Sequence, residues 1–104
     1  MIGVDLVFIP EFQRQVEAGG THFLQKAFNP SELENQNIPH LAGLWAAKEA
    51  VIKAAPESPE RLRDVAITHD TSGRPHATIE AQNFEISISH HGEYVVAVAM
   101  GVAQ

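Results

Sequence analysis

The chain has no cysteine among its 104 residues, which excludes disulfides, thiolate metal sites and a cysteine nucleophile. Basic residues are scarce: seven Lys and Arg stand against thirteen Asp and Glu, for a formal charge of −6. Nucleic-acid binding normally needs clustered cations, so no nucleic-acid partner is expected. An anionic substrate would need local cations or a metal to reverse the field at its site. No apolar run approaches the ~20 residues that cross a bilayer, and no membrane partner is expected. Asp5 interrupts the first apolar run and no basic segment precedes it, so no secretory signal is expected and cytoplasmic is the default location. Internal repeats and low-complexity tracts are missing too. What is present is an ordinary globular composition, 44% hydrophobic and 19% charged, at a length that suits one domain over 1–104.

The most informative stretch is Leu41 to Ala55, LAGLWAAKEAVIKAA. Strong helix formers dominate it, no proline interrupts it until Pro56, and Ala46, Ala50 and Ala54 form a small-residue stripe. It is apolar nearly all round, which predicts a long central helix buried on most sides. Its polar residues are Lys48, Glu49 and Lys53. At about 100° per residue they fall within an arc of roughly 140°, and so are expected to face one place. A Glu49–Lys53 pair could be a plain surface ion pair worth a few tenths of a kcal/mol. On a buried helix, unpaired charge is costly, and a partner such as a metal or phosphate is the alternative.

Ile2 to Ile9 reads as a strand ended by Pro10, with Gly3, Asp5, Val7 and Ile9 on one face. Asp5 therefore sits among apolar neighbours, either as a paired or edge residue or as a ligand. Glu11 to Ala18 is a short helix stopped by Gly19-Gly20, and His22 to Phe28 is a second helical piece. Asn29-Pro30-Ser31-Glu32 carries a capping signal. Pro56 to Pro59 is a linker, after which Val65 to His69, His76 to Ile79, Phe84 to His90 and Tyr94 to Val102 read as strands. The last has a small-residue face, Val95, Ala97, Ala99 and Gly101. One strand, then helices, then four strands predict an α+β fold: a mainly antiparallel sheet packed on the central helix, with short N-terminal helices. His90 shares the apolar face of its strand, whereas the adjacent His91 points the other way and reads as a turn residue.

Taken together, Gly3-Val4-Asp5, Phe28 to Leu33 (FNPSEL), Leu41 to Ala54 (LAGLWAAKEAVIKA), Gly73-Arg74-Pro75 and Ser87 to His90 (SISH) resemble the holo-acyl-carrier-protein synthase group of 4′-phosphopantetheinyl transferases. The pieces occur in the family's order over nearly the whole chain, and the central string is the most specific. The resemblance implies the transferase fold and movement of phosphopantetheine from coenzyme A to a serine of an acyl carrier protein, releasing 3′,5′-ADP. It implies Mg2+ held by carboxylates at Asp5 and Glu49, with pyrophosphate oxygens and water completing the shell. Lys53 and His90 match positions that contact the phosphates, so Asp5, Glu49, Lys53 and His90 are the expected catalytic set. Lys48, Gly73, Arg74, Pro75 and Ser89 are counted with Lys53 and His90 as coenzyme-binding. The proton acceptor is left open between the acid pair and His90. A homotrimer with sites between subunits is implied as well, and the small-residue strand near the C-terminus is expected to support such packing.

Some positions depart from the family pattern. The arginine usually found six residues after the aspartate, which docks the acidic carrier, is Glu11 here, and Arg14 on the same helix face is expected to take over docking. Asn29 and Arg74 are milder replacements. The chain is short between Leu33 and Leu41 and after Pro56, which leaves contacts to the coenzyme 3′-phosphate unassigned. A metal-dependent nuclease is disfavoured, because Glu49 and Lys53 are a helical i, i+4 pair and the chain is acidic. A relative that only binds coenzyme A or a carrier protein stays open as the alternative.

Overall fold

The computed structural model describes residues 1–55 and 61–102. Five strands, β1 (Ile2–Phe8), β2 (Ala66–His69), β3 (Pro75–Ile79), β4 (Gln82–His91) and β5 (Tyr94–Gly101), form one sheet in the order β1-β5-β4-β3-β2. Every pairing is antiparallel, so the fold is α+β as expected. Two α-helices precede β2: α1 (Ile9–Ala27) and α2 (Ile38–Ala54). Short 3₁₀ turns at Glu32–Glu34 and Leu62–Asp64 flank α2. The linker read at Pro56 to Pro59 lies outside the described residues.

The two helical pieces read before Phe28 are halves of α1 that meet at Gly20, whose φ of 57° a side-chain-bearing residue would adopt only under strain. The helix read from Leu41 begins earlier, at Ile38. Asn37 accepts a hydrogen bond from the His40 amide (3.2 Å), and Pro39 fits the first turn, where its missing N–H costs nothing. The capping signal at Asn29 is a reciprocal box. Asn29 Oδ1 accepts from the Glu32 amide (3.0 Å), and Glu32 Oε1 accepts from the Asn29 amide (2.9 Å).

The core lies between α2 and the sheet face carrying Val7, Val95, Ala97, Ala99, Ile86 and Phe84. α2 lies close against β1, and Gly3 is the reason. A Cβ built there would stand 1.9 Å from the Ala50 carbonyl oxygen, so only glycine lets the helix backbone rest on the strand. This packing accounts for the small face of the last strand. Val95, Ala97 and Ala99 are small because α2 covers them completely, and they are not available to another subunit. The other face of the sheet is the open one. There Ile2 and Val4 of β1 pair with Met100 and Val98 of β5, and Leu6 and Tyr94 share the same face, all six exposed. No helix among the described residues is long and apolar enough to cross a membrane.

Candidate active site

Asp5 follows Gly3 on the helix-facing side of β1, so the contact that seats α2 also brings Asp5 against its C-terminal half. Glu49 is partly buried there and Lys53 lies one helical turn on. Lys53 Nζ is 2.9 Å from Asp5 Oδ1 and donates to the Val4 carbonyl at 3.1 Å. Asp5 and Glu49 line one cleft of about 230 Å³, together with Glu11, Phe12, Gln15 and Trp45. Burial raises the Glu49 pKa above the ordinary carboxylate value, the neighbouring Asp5 charge adds to the rise, and Lys53 opposes it. The two acids thus feel each other across the same space.

Such an arrangement favours a cation between the carboxylates. No group of three His, Asp or Glu among the described residues is placed to hold a metal ion, so Asp5 and Glu49 would need oxygens from a ligand or water to complete a shell. That all-oxygen, partly open donor set suits a hard divalent ion such as Mg2+, which keeps several waters.

Lys48 is not part of this site. The expectation that it faces the same place as Glu49 and Lys53 and binds the coenzyme is corrected by its position. Its side chain is fully buried, with Nζ 2.7 Å from Glu32 Oε1 and hydrogen bonds to the carbonyls of Val65 (2.8 Å) and Leu62 (3.2 Å). The ammonium also lies 5.5 Å from the Phe28 ring centre. Burial lowers its pKa, while the hydrogen bond and charge of Glu32 oppose the shift. Glu32 Oε2 accepts from the Ile67 amide (3.1 Å), so the pair ties α2 to both flanking turns and to β2. Sequence reasoning gave Glu32 a capping role only. One of its oxygens does cap, but the acid also neutralises a buried lysine, and no spacing rule connects residues this far apart.

The remaining expected residues lie elsewhere on the chain. His90 faces α2, its Nε2 3.1 Å from the Pro39 carbonyl, two strands and so about 10 Å across the sheet from β1. Ser89, next to it, points to the open face. Gly73 and Arg74 lie in the β2–β3 turn and Pro75 opens β3, on the opposite side of the sheet from β1. That turn is organised by Asp70, whose Oδ1 accepts from the Ser72 and Arg74 amides and whose Oδ2 is 3.1 Å from His76 Nε2. The Ser72 hydroxyl bond, then His76, hold the Asp70 carboxyl well below its ordinary range. Arg14 is exposed on α1, outside the cleft that Glu11 and Gln15 line. Glu11 and Gln15 were missed as lining residues, although their i, i+4 spacing puts them on one helix face. A second cavity of about 570 Å³, across Trp45 from the first, is lined by Phe23, Lys26, Arg61 and Arg63 among others.

The family model described as the 4′-phosphopantetheinyl transferase superfamily matches residues 1–99. The chain belongs to that superfamily. Within it, the chain groups with the holo-[acyl-carrier-protein] synthases. The enzyme of that name from Mycobacterium tuberculosis (strain ATCC 25618 / H37Rv) is 36% identical over 122 aligned residues, 95% of this chain and 93% of the relative. The crystal structure of the Helicobacter pylori holo-[acyl-carrier-protein] synthase in complex with coenzyme A matches with a TM-score of 0.89 at 27% identity, covering 98% of this chain and 100% of that one. The structure of the M. tuberculosis acyl carrier protein synthase matches with a TM-score of 0.75 at 33% identity, covering 99% and 96%. Of the residues expected in the transferase site, the acid pair on β1 and α2 and Lys53 are the ones the described residues bring together.

Proposed function

We propose that this chain transfers 4′-phosphopantetheine from coenzyme A to a serine of an apo acyl carrier protein in a Mg2+-dependent reaction. The observation that carries the reading is the convergence of Asp5 and Glu49 on one cleft, with Lys53 beside them. The serine hydroxyl attacks the pyrophosphate phosphorus that bears the pantetheine arm. The new O–P bond replaces the one to the leaving 3′,5′-ADP, and the serine proton passes to a base. Asp5 and Glu49 would hold the metal, which would neutralise pyrophosphate charge and make phosphorus more electrophilic. Lys53 supplies a second positive charge at the phosphates, and Trp45 and Phe12 form part of the cleft wall. With no covalent enzyme intermediate, the chain's contribution is placement and charge.

His90, Ser89 and the Gly73–Pro75 turn enter the reading as coenzyme-binding groups supplied across a subunit boundary. Their separation from Asp5 within one chain favours this, and the exposed apolar face of β1 and β5 is a surface that association would cover. A homotrimer with sites between subunits, in the cytoplasm, fits both features. Arg14, exposed on α1, is assigned to carrier docking. Arg14→Glu should raise the KM for carrier at low salt with kcat little changed, and an unchanged KM removes the assignment.

Intact-mass measurement of apo carrier after incubation with coenzyme A and Mg2+ tests the function directly. The carrier should gain the mass of the arm, and Glu49→Gln should prevent the gain while leaving the fold intact. A carrier of unchanged mass with the wild-type chain leaves only the binding alternative, and full activity in Glu49→Gln removes Glu49 as a ligand.

A further inference from the structure

Lys53 is a built-in cation at the acid pair. Its ammonium bonds Asp5 Oδ1 at 2.9 Å and the Val4 carbonyl at 3.1 Å, while 53% of its side chain remains exposed. The tip is held and the stem is solvated, so the ammonium can leave Asp5 by side-chain rotation alone. A divalent ion reaching Asp5 must displace it or sit beside it, against like-charge repulsion. Once displaced, the ammonium needs an anion within reach. Lys53 is on the last turn of α2 one turn beyond Glu49, so an anion lying over the acid pair would be that partner.

We propose that Lys53 makes the acid pair accept a divalent cation and a pyrophosphate-bearing ligand together, and resist the cation alone. The inference rests on the transferase reading but goes beyond it, because it assigns Lys53 a positioning role in the order of loading. Without the pyrophosphate, Asp5 is already neutralised from within the chain, and metal uptake strands a positive charge. With the pyrophosphate, the ammonium moves from carboxylate to phosphate, and Asp5 is released to the metal. By linkage, whatever the pyrophosphate does for metal affinity the metal does equally for the pyrophosphate. Free metal would then leave the acid pair largely unfilled, and the ligand would arrive with its own ion.

The test is isothermal titration of Mg2+ into the full chain, with and without coenzyme A and with no carrier present, so that no transfer occurs. The Lys53→Gln variant should bind Mg2+ alone at least about fivefold more tightly than wild type, the lower end of ordinary coupling. The increase in Mg2+ affinity caused by coenzyme A should shrink by at least the same factor. Lys53→Arg, which keeps the charge, should behave as wild type. The proposal is overturned by a Lys53→Gln variant that binds Mg2+ no more tightly alone, by an unchanged effect of coenzyme A, or by a Lys53→Arg variant matching Lys53→Gln. If wild type takes up no Mg2+ even with coenzyme A, the transferase reading falls and this inference with it; normal uptake with an unresponsive Lys53→Gln removes this inference alone. Lys53→Met, checked with Lys53→Gln by circular dichroism, guards against a folding defect in one variant.

Discussion

Two lysines on one helix make two ion pairs of opposite kinds. The Lys48–Glu32 pair has side chains 0% and 2% exposed, and every polar atom of both is engaged with the chain itself. The Lys53–Asp5 pair is 53% and 15% exposed and opens onto a cleft. Five residues turn the helix through about 500°, leaving the two side chains roughly 140° apart, enough for one to point into the core and the other to its edge. The comparison teaches that a charge on a mostly apolar helix is not by itself a sign of chemistry. The buried pair is finished, with no bonding capacity to offer a ligand. The edge pair is unfinished, because Asp5 and Glu49 still repel each other and the lysine that moderates them can move.

The largest expected effect breaks the finished pair. Lys48→Met keeps most of the aliphatic volume but leaves Glu32 buried without its counter-charge, and such losses typically cost about 3–5 kcal/mol. Against the ~5–15 kcal/mol that holds a domain together, that is a large share, readable as a lower urea midpoint. The double variant Lys48→Met/Glu32→Gln should recover much of the loss, since the neutral side-chain amide introduced there can still accept from one backbone N–H. If Lys48→Met alone unfolds no more easily than wild type, the pair is not the strut described.

How much of this was legible in the sequence follows the reach of each interaction. Strand alternation on β1 put Gly3, Asp5 and Val7 on one face, and the structure keeps them there, because a period of two is a local property. The helix and its break at Gly20 were likewise local. The Lys48–Glu32 pair was not, because it depends on how the 32–34 turn packs on α2. Nor was the use of the small face of β5, since small residues serve a close helix and a close subunit equally well. Asp5 and Glu49 converge for a tertiary reason too, and it was the motif resemblance, not spacing, that joined them. His90 and the Gly73–Pro75 segment show the opposite limit: the resemblance names them together with Asp5, and the fold holds them apart from it.

The next effect in size concerns the contact that sets the edge pair in place. Gly3→Ala would put a methyl against the Ala50 carbonyl and 2.9 Å from the Ala54 amide, both backbone atoms that cannot turn aside. Overpacking of this kind costs about 1–3 kcal/mol. Because the strand must move relative to α2, turnover should fall more than stability does; misplacements near 1 Å cost as much as ~100-fold. Wild-type turnover in Gly3→Ala would show that the close approach is not what positions Asp5. By contrast, Lys53→Gln should change stability by less than ~1 kcal/mol, the usual worth of a solvated pair, so a loss as large as that of Lys48→Met would erase the distinction between the two lysines.

The smallest effect is also the most direct probe of whether the acids share one space. In the metal-free chain, a carbon-13 titration of the Glu49 carboxyl should give a midpoint above the ordinary value of 4.5, because burial and then the Asp5 charge both favour its proton. The sign for stability follows: with the folded pKa raised, the folded state holds the proton more tightly than the unfolded one. Glu49 therefore favours folding least once pH has risen from 4.5 through its folded midpoint, and metal uptake should weaken as pH falls back through that midpoint. Asp5→Asn removes the second cause and frees the Lys53 ammonium toward Glu49, so the midpoint should drop. Lys53→Gln should move it the other way. A midpoint indifferent to Asp5 would mean that the two carboxylates do not face each other across the cleft, and that the edge pair is as self-contained as the buried one.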